Sequence, residues 1–285
     1  MIQPQPMNWP STMGLDAMLV NLGEVRNRGF ELSIGWNDRI NKNFSYFVTG
    51  NFSYLKNWVS DIGVKNEDGT PGVWTDDKSF RSVKDIYQTT EGEPLNSFHL
   101  IQTAGIFQSD EEAAAYVDKN GKRIQPDGTI GFFDRQYMGS ATPKTTFAWT
   151  LGFTWKKLSF SAMFQGVGGA QAMNVSKYML LSDVEGNFNR SREILNAWSP
   201  DNRGSNIPIL SKNDNNGNFS TASDWYLEDA SYLRLKNVTL SYDLSDVFCK
   251  WSHLNDRNSR LSVFLSGENL ATITRYSGMD PECGG

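Results

Sequence analysis

The chain has 285 residues and a formal net charge of −5, so binding to nucleic acid through phosphate neutralisation is not expected. Hydrophobic residues make up 39% and aromatic residues 13% of the sequence, and no apolar run reaches the ~18 residues of a membrane-spanning helix. A membrane-spanning β-strand is not excluded by this, because it needs only about ten residues with every second one apolar.

The first predicted element is a β-hairpin at about 26–56. Apolar residues occupy every second position from Phe30 to Trp36, and again from Phe44 to Val48 after a short polar turn. This period places the apolar side chains on one face of each strand and the polar ones on the other.

A long polar segment follows at about 57–144, with turn-forming stretches such as KNEDGTPG. The part from Leu95 to Gln108 has a partly strand-like pattern. If it crossed the membrane as one more strand, the short turns before and after it would lie on opposite sides of the membrane, so we place it within this segment. Ser109 to Glu112 has the spacing of a helix capping box and predicts a short helix that continues to Val117.

The clearest alternation lies between Thr146 and Trp155, in a second hairpin at about 145–167. At ~3.3 Å per residue its apolar stretch is about 26 Å long, which when tilted covers most of the apolar band of an outer membrane. A two-lysine turn leads to a return strand with the same period. The residues that we expect to face lipid are Phe147, Trp149, Leu151, Phe153 and Trp155.

A second long polar segment occupies about 168–230, and a short helix is predicted within it from Arg190 to Trp198. The stretch Asp214 to Gly217 loosely resembles a calcium loop. It lacks a full set of alternating oxygen ligands that ends in Glu, which favours a plain turn.

A third hairpin is predicted at about 231–271, with alternation from Val238 to Leu244 and from Leu261 to Leu265. The connections therefore alternate between short and very long. If the short ones all lie on the periplasmic side, both long segments are extracellular excursions. The pattern predicts an all-β fold, a partial transmembrane antiparallel β-barrel with long extracellular loops.

A soluble β-sandwich is the alternative, because its inner faces also alternate. Two features favour the barrel. The residues between the apolar ones are small or polar but seldom charged, as in the lining of a lumen, and loops this long are unusual in compact soluble domains.

Five stretches, in order along the chain, resemble the SusC/RagA family of TonB-dependent outer-membrane transporters. They are NLGEVRNRGFELSIGWND, EGEPLNSFHLIQTAGIFQSDEEAAAY, DRQYMGSATPKTTFAWTLGFTWKKLSFSAMFQGVGG, SDWYLEDASYLRLKNVTLSYDL and FLSGENLATITRYSGMDPE. Together they cover the chain from about residue 20 to residue 282.

The resemblance implies the C-terminal part of a barrel of about 22 strands that is filled by an N-terminal plug. Implied partners are a SusD-like lipoprotein lid, TonB through the missing N-terminal part, outer-membrane lipid, and an oligosaccharide or peptide substrate. We expect the signal peptide, the plug and the closing strand to be absent from this chain. A shortened stretch from Pro126 to Arg135 makes a calcium site of the kind found in many members unexpected.

No catalytic, metal-binding or cofactor-binding constellation stands out. His99 and His253 are isolated, and Cys249 and Cys283 lack the spacing of a metal site. Aromatic side chains in the excursions could stack on sugar rings, although packing of the loops together or against the lid protein is the more ordinary use of them. These candidates are Trp74, Tyr178, Phe188 and Trp198, with Trp225 and Tyr226 expected to anchor an interface.

The function that these predictions favour is import of oligosaccharides or other bulky nutrients across the outer membrane of a Gram-negative cell. A soluble carbohydrate-binding β-sandwich and a surface adhesin barrel that transports nothing are the alternatives. An enzyme is the least supported class.

Overall fold

The structure is a computed structural model, and it describes residues 2–5, 18–21, 23–76, 79–103, 105–106, 111, 135–184, 189–214, 217–251 and 260–282. Strands dominate this part of the chain, which confirms the predicted all-β class. In chain order the strands are β1 (Ile2–Gln5), β2 (Met18–Asn21), β3 (Glu24–Asn41), β4 (Phe44–Asp61), β5 (Trp74–Asp76), β6 (Tyr87–Thr89), β7 (Ser97–Ile101), β8 (Arg135–Ser140), β9 (Thr145–Trp155), β10 (Leu158–Gly168), β11 (Gln171–Met173), β12 (Leu227–Asp229), β13 (Tyr232–Asp243) and β14 (Ser262–Thr274). The helices are α1 (Ser176–Leu181), α2 (Ser245–Trp251) and two 3₁₀ turns, Arg192–Asn196 and Asp224–Tyr226.

Six long strands form one antiparallel sheet in the order β14-β13-β10-β9-β4-β3. The three predicted hairpins correspond to β3 with β4, β9 with β10, and β13 with β14, and neighbouring hairpins pair with one another. The turns at 42–43 and 156–157 lie at the same end of the sheet, because Phe44 and Leu158 are both register partners of Trp155. The two long connections leave from the opposite end.

The register carries the sequence alternation across the whole sheet, because cross-strand partners share a face. One row on the apolar face is Trp36, Val48, Leu151, Ala162, Val238 and Gly267. The adjacent row, on the opposite face, is Asn37, Phe47, Gly152, Ser161, Thr239 and Ser266. One face of the sheet is therefore apolar, and the other consists mainly of small and polar residues.

The apolar face is open. Phe30 is 58% exposed, Trp36 62% and Leu265 74%, so no second layer among the described residues covers these side chains. In a β-sandwich the same positions would be packed against a second sheet. The sheet therefore lacks the buried interface that defines a sandwich, at least within the part of the chain that the structure describes.

The two long connections fold together into one unit, the loop region, which comprises the described residues of 62–144 and 169–230. A four-stranded sheet in the order β5-β6-β7-β8 and the pair β11-β12 lie within it. Its core joins both connections, since Phe98 from the first packs in one cluster with Tyr178, Phe219 and Tyr226 from the second. The loop region is thus a packed body at one end of the long sheet.

The loop region corrects part of the sequence prediction. The helix predicted from Arg190 to Trp198 is only a 3₁₀ turn at Arg192–Asn196, and α1 was not predicted. The helix predicted from Ser109 to Val117 lies outside the described residues except for Glu111. The strand-like stretch after Leu95 forms β7, and its absence from the long sheet is confirmed.

None of the helices in the described ranges has the length and apolar character needed to cross a membrane.

Candidate functional site: the polar face and the loop region

A shallow groove of about 500 Å³ runs along the polar face of the long sheet, where β3, β4, β9 and β10 lie side by side. Its polar lining consists of hydroxyl and amide side chains with a single carboxylate. These residues are Glu31, Ser33, Asn51, Ser53, Thr146 and Gln165. Such a surface offers many hydrogen-bond donors and acceptors and little charge.

The row of register partners that crosses this groove continues beyond it to the far side of the sheet. The row is Ser33, Asn51, Ala148, Gln165, Arg234 and Thr272. Arg234 is 5% exposed, and its guanidinium donates to Asp280 Oδ1 at 2.6 Å and to Glu282 Oε2. The polar face therefore holds a buried, ion-paired arginine one strand away from the groove.

The five residues predicted to face lipid all lie on the apolar face of β9. Trp149 is 40% exposed, Leu151 39% and Trp155 52%. Phe147 and Phe153 are half-buried, and Phe153 stacks with Phe160 at a ring-centroid distance of 5.4 Å. All five rings and side chains are on the same side of the sheet as Phe30, Trp36 and Leu265.

The predicted loop aromatics occupy different environments. Tyr178 is 1% exposed, with its ring edge-on to Phe80 at 5.7 Å and its hydroxyl 2.8 Å from Ser82 Oγ. It packs the core of the loop region and has no free ring face for a sugar. Trp74 and Trp198 are half-buried, whereas Phe188 lies outside the described residues.

Trp225 and Tyr226 also serve the packing of the loop region. The Trp225 indole Nε1 donates to Asn206 O at 2.9 Å, and its ring lies edge-on to Tyr226 at 4.8 Å. Tyr226 is 1% exposed, and its hydroxyl donates to Phe219 O at 2.8 Å. Burial raises the pKa of Tyr226 well above its usual range.

The Glu228 carboxylate joins several segments of the loop region through an ion pair and hydrogen bonds. No pattern in the sequence had identified this residue. Its carboxylate pairs with Lys177 Nζ at 2.8 Å and accepts from the backbone N–H and the hydroxyl of Ser277 at 2.6 and 2.8 Å. Asn174 Nδ2 donates to the same carboxylate at 3.2 Å. Burial by itself raises the pKa of Glu228, but the hydrogen bonds from Lys177 and Ser277 outweigh it and leave the pKa lowered.

Asp214, in the stretch weighed as a calcium loop, is engaged by backbone donors instead. Its carboxylate accepts from the N–H groups of Phe219 at 3.2 Å and Ser220 at 2.7 Å, and its own backbone carbonyl accepts from Gly217 at 2.8 Å. This arrangement is that of a turn. Within the described residues, no group of three or more acidic, histidine or cysteine side chains could hold a metal ion.

His99 lies in β7, between two neighbours of the four-stranded sheet. Its ring lies over Tyr137 at 4.6 Å, and its carbonyl accepts from the Arg135 guanidinium at 3.1 Å. Burial and the charge of Arg135 lower the pKa of His99. The His99 ring therefore packs against Tyr137 on the neighbouring strand of this sheet.

Three of the five stretches that carried the family resemblance are linked to one another in the loop region. Asp224, from SDWYLED, accepts from the backbone and hydroxyl of Thr103 at 2.9 and 2.5 Å. Leu95, from EGEPLNSF, donates its N–H to Asn57 Oδ1 on β4 at 2.9 Å. Ser277, from RYSGMDPE, binds Glu228 as described above. These segments join the loops to one another and to the long sheet.

A long antiparallel sheet with one exposed apolar face and one polar face has the structure of a segment of a membrane β-barrel. The sheet remains open in the described residues, with β3 and β14 at its edges.

Comparison with known proteins agrees with this class. No protein-family model matches the chain. TonB-dependent receptor P3 from Formosa agariphila is 28% identical over 296 residues, which cover 98% of this chain and 27% of that receptor. TonB-dependent receptor SusC from Bacteroides thetaiotaomicron is 24% identical over 266 residues, which cover 93% of this chain and 25% of SusC.

Solved structures match the entire chain. The RagAB peptide importer in its open-open state superposes with a TM-score of 0.76 at 26% identity, over 100% of this chain and 29% of that one. Its closed-closed state gives a TM-score of 0.75 at 25% identity. These matches confirm the resemblance to SusC/RagA-type TonB-dependent receptors. The chain spans 25% to 30% of the length of these proteins, whose names are those of receptors and transporters and not of enzymes.

Proposed function

We propose that this chain forms part of the β-barrel of a TonB-dependent outer-membrane importer. The observation that carries the proposal is the six-stranded sheet whose apolar face stays exposed while its opposite face is polar. Exposed apolar surface of this extent is unfavourable in water. In a barrel it contacts lipid, with every second residue of each strand turned to the lumen.

In this proposal Phe147, Trp149, Leu151, Phe153 and Trp155 face outer-membrane lipid, and the protein crosses the membrane many times. The spanning hairpins are those at about 26–56, 145–167 and 231–271. The loop region lies on the extracellular side, where long loops of such barrels are found, and the short turns lie on the periplasmic side.

The loop region is the part that would meet a SusD-like lipoprotein. Leu195, on the 3₁₀ turn at Arg192–Asn196, is 83% exposed, and Trp74 and Trp198 are half-buried aromatic residues of the same region. Such surface is suited to a protein partner or to stacking on a sugar. Phe188, which lies outside the described residues, is a further candidate for this role on the basis of the sequence alone.

In this proposal the transported solute is an oligosaccharide or another bulky nutrient. TonB supplies the energy for import and acts through parts of the receptor outside this chain. The hydroxyl and amide lining of the groove supports a polar, uncharged solute such as a sugar, which is recognised through hydrogen bonds. A peptide is the second candidate, because the RagAB peptide importer is among the structures that match.

Charge substitution on adjacent residues of β9 tests the proposal in the full-length receptor. Leu151→Arg would place a charge in lipid, which costs about 2–4 kcal/mol near the bilayer midplane. Thr150→Arg, the matched control, would place the same charge in the aqueous lumen. We expect only Leu151→Arg to lower the amount of receptor in the outer-membrane fraction and the uptake of its oligosaccharide.

Equal levels of both variants would contradict the lipid-facing assignment. A parent receptor that dissolves without detergent and sediments as a monomer would exclude the membrane proposal. A receptor that mediates attachment to surfaces but no uptake would instead be an adhesin.

A further inference from the structure

The residues after β14 fold back onto the polar face of the long sheet. We call residues 275–282 the lip. Met279, at its tip, is 99% exposed, and the chain then returns so that Asp280 and Glu282 reach Arg234 on β13. Lys236 Nζ is 3.4 Å from Glu282 Oε2 and adds a second basic group.

The guanidinium of Arg234 makes contacts through each of its three nitrogens and through one of its faces. Its Nε donates to Thr272 Oγ1 at 3.0 Å, its two terminal nitrogens bind the two lip carboxylates, and its guanidinium lies over the Tyr232 ring at 5.1 Å. A buried guanidinium is tolerated only when its charge is paired and its N–H groups are bonded. The carboxylates of Asp280 and Glu282 therefore provide the paired charge and the hydrogen-bond acceptors that a buried Arg234 requires.

The other end of the lip is fixed to the loop region. Ser277 binds the Glu228 carboxylate and accepts from Asn174 Nδ2 at 2.9 Å. Tyr276 packs against a cluster of small residues, Ala170, Ala172 and Ala230. The lip is thus attached at two places, by a hydrogen-bond network at its start and by ion pairs at its end.

The ion-paired end lies beside the groove. Gln165, which lines the groove, is the register partner of Arg234, and both are on the polar face. The Asp280 and Glu282 side chains are 39% and 40% exposed, whereas the guanidinium is covered. The two lip carboxylates are therefore partly open to solvent, and they neutralise the arginine charge that lies beneath them.

We propose that the lip is an ionic latch: the pairing of Arg234 with Asp280 and Glu282 clamps residues 275–282 over the polar face and narrows the route along it. The inference rests on the proposed function in so far as that face lines a solute pathway. The attachment of the lip to Arg234 can be tested whether or not the receptor transports anything. Breaking the ion pairs releases the end of the lip and leaves its Ser277 anchor in place.

A spin label on the lip measures the latch in the detergent-solubilised full-length receptor. The label is attached through Met279→Cys, with Cys249 and Cys283 changed to Ser. Removal of one partner of a buried ion pair is strongly destabilising, so Arg234→Gln should raise the mobile fraction of the label at least about tenfold. The matched control is Arg26→Gln, which breaks the ion pair between Arg26 and Glu24. These two side chains are 59% and 57% exposed, so the control substitution should leave the spectrum of the label unchanged.

Exchanging the charges of Arg234 and the two lip carboxylates distinguishes loss of the ion pairs from a general destabilisation of the sheet. Arg234→Glu alone should free the label, and adding Asp280→Arg and Glu282→Arg should immobilise it again. A label that is equally mobile in the parent and in the Arg234→Gln variant, or a charge exchange that fails to restore order, would overturn the latch. Free label without faster reaction of a groove thiol, introduced as Gln165→Cys, with a water-soluble reagent in receptor reconstituted in liposomes would overturn the narrowing. Failure of the receptor to insert into those liposomes would instead refute the proposed function.

Discussion

Gly50 shows how one residue can decide the packing of the apolar face. It is the register partner of Trp149 across β4 and β9, and a Cβ atom at this position would lie 2.5 Å from the indole ring. The missing side chain thus makes room for a large ring on a face that otherwise carries bulky residues on every strand. The glycine is required by close approach and not by its backbone angles.

Substitution at this position has a direct control in the same hairpin. Gly50→Ala should force the Trp149 ring out of place and cost about 1–3 kcal/mol, as overpacking commonly does. Gly35→Ala should be nearly neutral, because the added Cβ would meet only Thr49 Cγ2 at 3.9 Å. The unfolding temperature of the detergent-solubilised receptor measures the difference, and equal unfolding temperatures for the two variants would refute the packing role.

At the scale of elements, sequence patterns predicted the long strands and, apart from β7, missed the short ones. Alternation from Thr146 to Trp155 specifies a strand because one whole face must be apolar. β5 and β6 have three residues each and α1 has six, too few for a period to be recognised. Their structure depends on contacts between distant segments, such as Tyr178 with Phe98 in the loop core.

The same limit applies to the candidate site. The polar face could be predicted, because it is the complement of the apolar alternation. The Glu228 network could not, since Lys177, Glu228 and Ser277 are far apart in sequence and meet only in the folded loop region. Aromatic residues were proposed as ligand-facing, and Tyr178 is in fact a core residue, because residue type alone does not distinguish a stacking surface from a packed ring.

The Glu228 network predicts a pH dependence of the loop region. The pKa of Glu228 is lowered in the folded state, so its contribution to stability is present above the unfolded pKa of about 4.3. That contribution is lost as the pH falls through the lower, folded pKa. Glu228→Gln should weaken the docking of residues 275–278 by about 1.5–3 kcal/mol at pH 7, because hydrogen bonds to a charged group are lost.

Hydrogen exchange of the backbone amides near Ser277 provides the measurement. We expect faster exchange in Glu228→Gln at pH 7 and a smaller difference between this variant and the parent below about pH 4. Asp68→Asn is a suitable control, since Asp68 binds its close neighbour Thr70 in an exposed turn. Exchange rates that do not respond to Glu228→Gln would show that the network does not hold this segment.

At the scale of the whole molecule, the edges of the sheet explain why the proposal places it in a larger barrel. β3 and β14 each have one side without a strand partner in the described sheet. In hydrocarbon each unpaired backbone group costs several kcal/mol, so a lipid-exposed sheet must continue until it closes. The packed loop region, by contrast, has its own core, and the proposal places it on the aqueous side.

Accessibility of successive residues on β9 is the measurement that tests the central claim most directly. Nitroxide labels placed one at a time from Phe147 to Phe153, in the full-length receptor reconstituted in lipid, are exposed to oxygen, which partitions into lipid, and to a water-soluble nickel complex. We expect a period of two, with positions 147, 149, 151 and 153 accessible to oxygen and positions 148, 150 and 152 accessible to nickel. Loss of the alternation, or greater accessibility to nickel at 149 and 151, would contradict the assignment of the two faces to lipid and lumen.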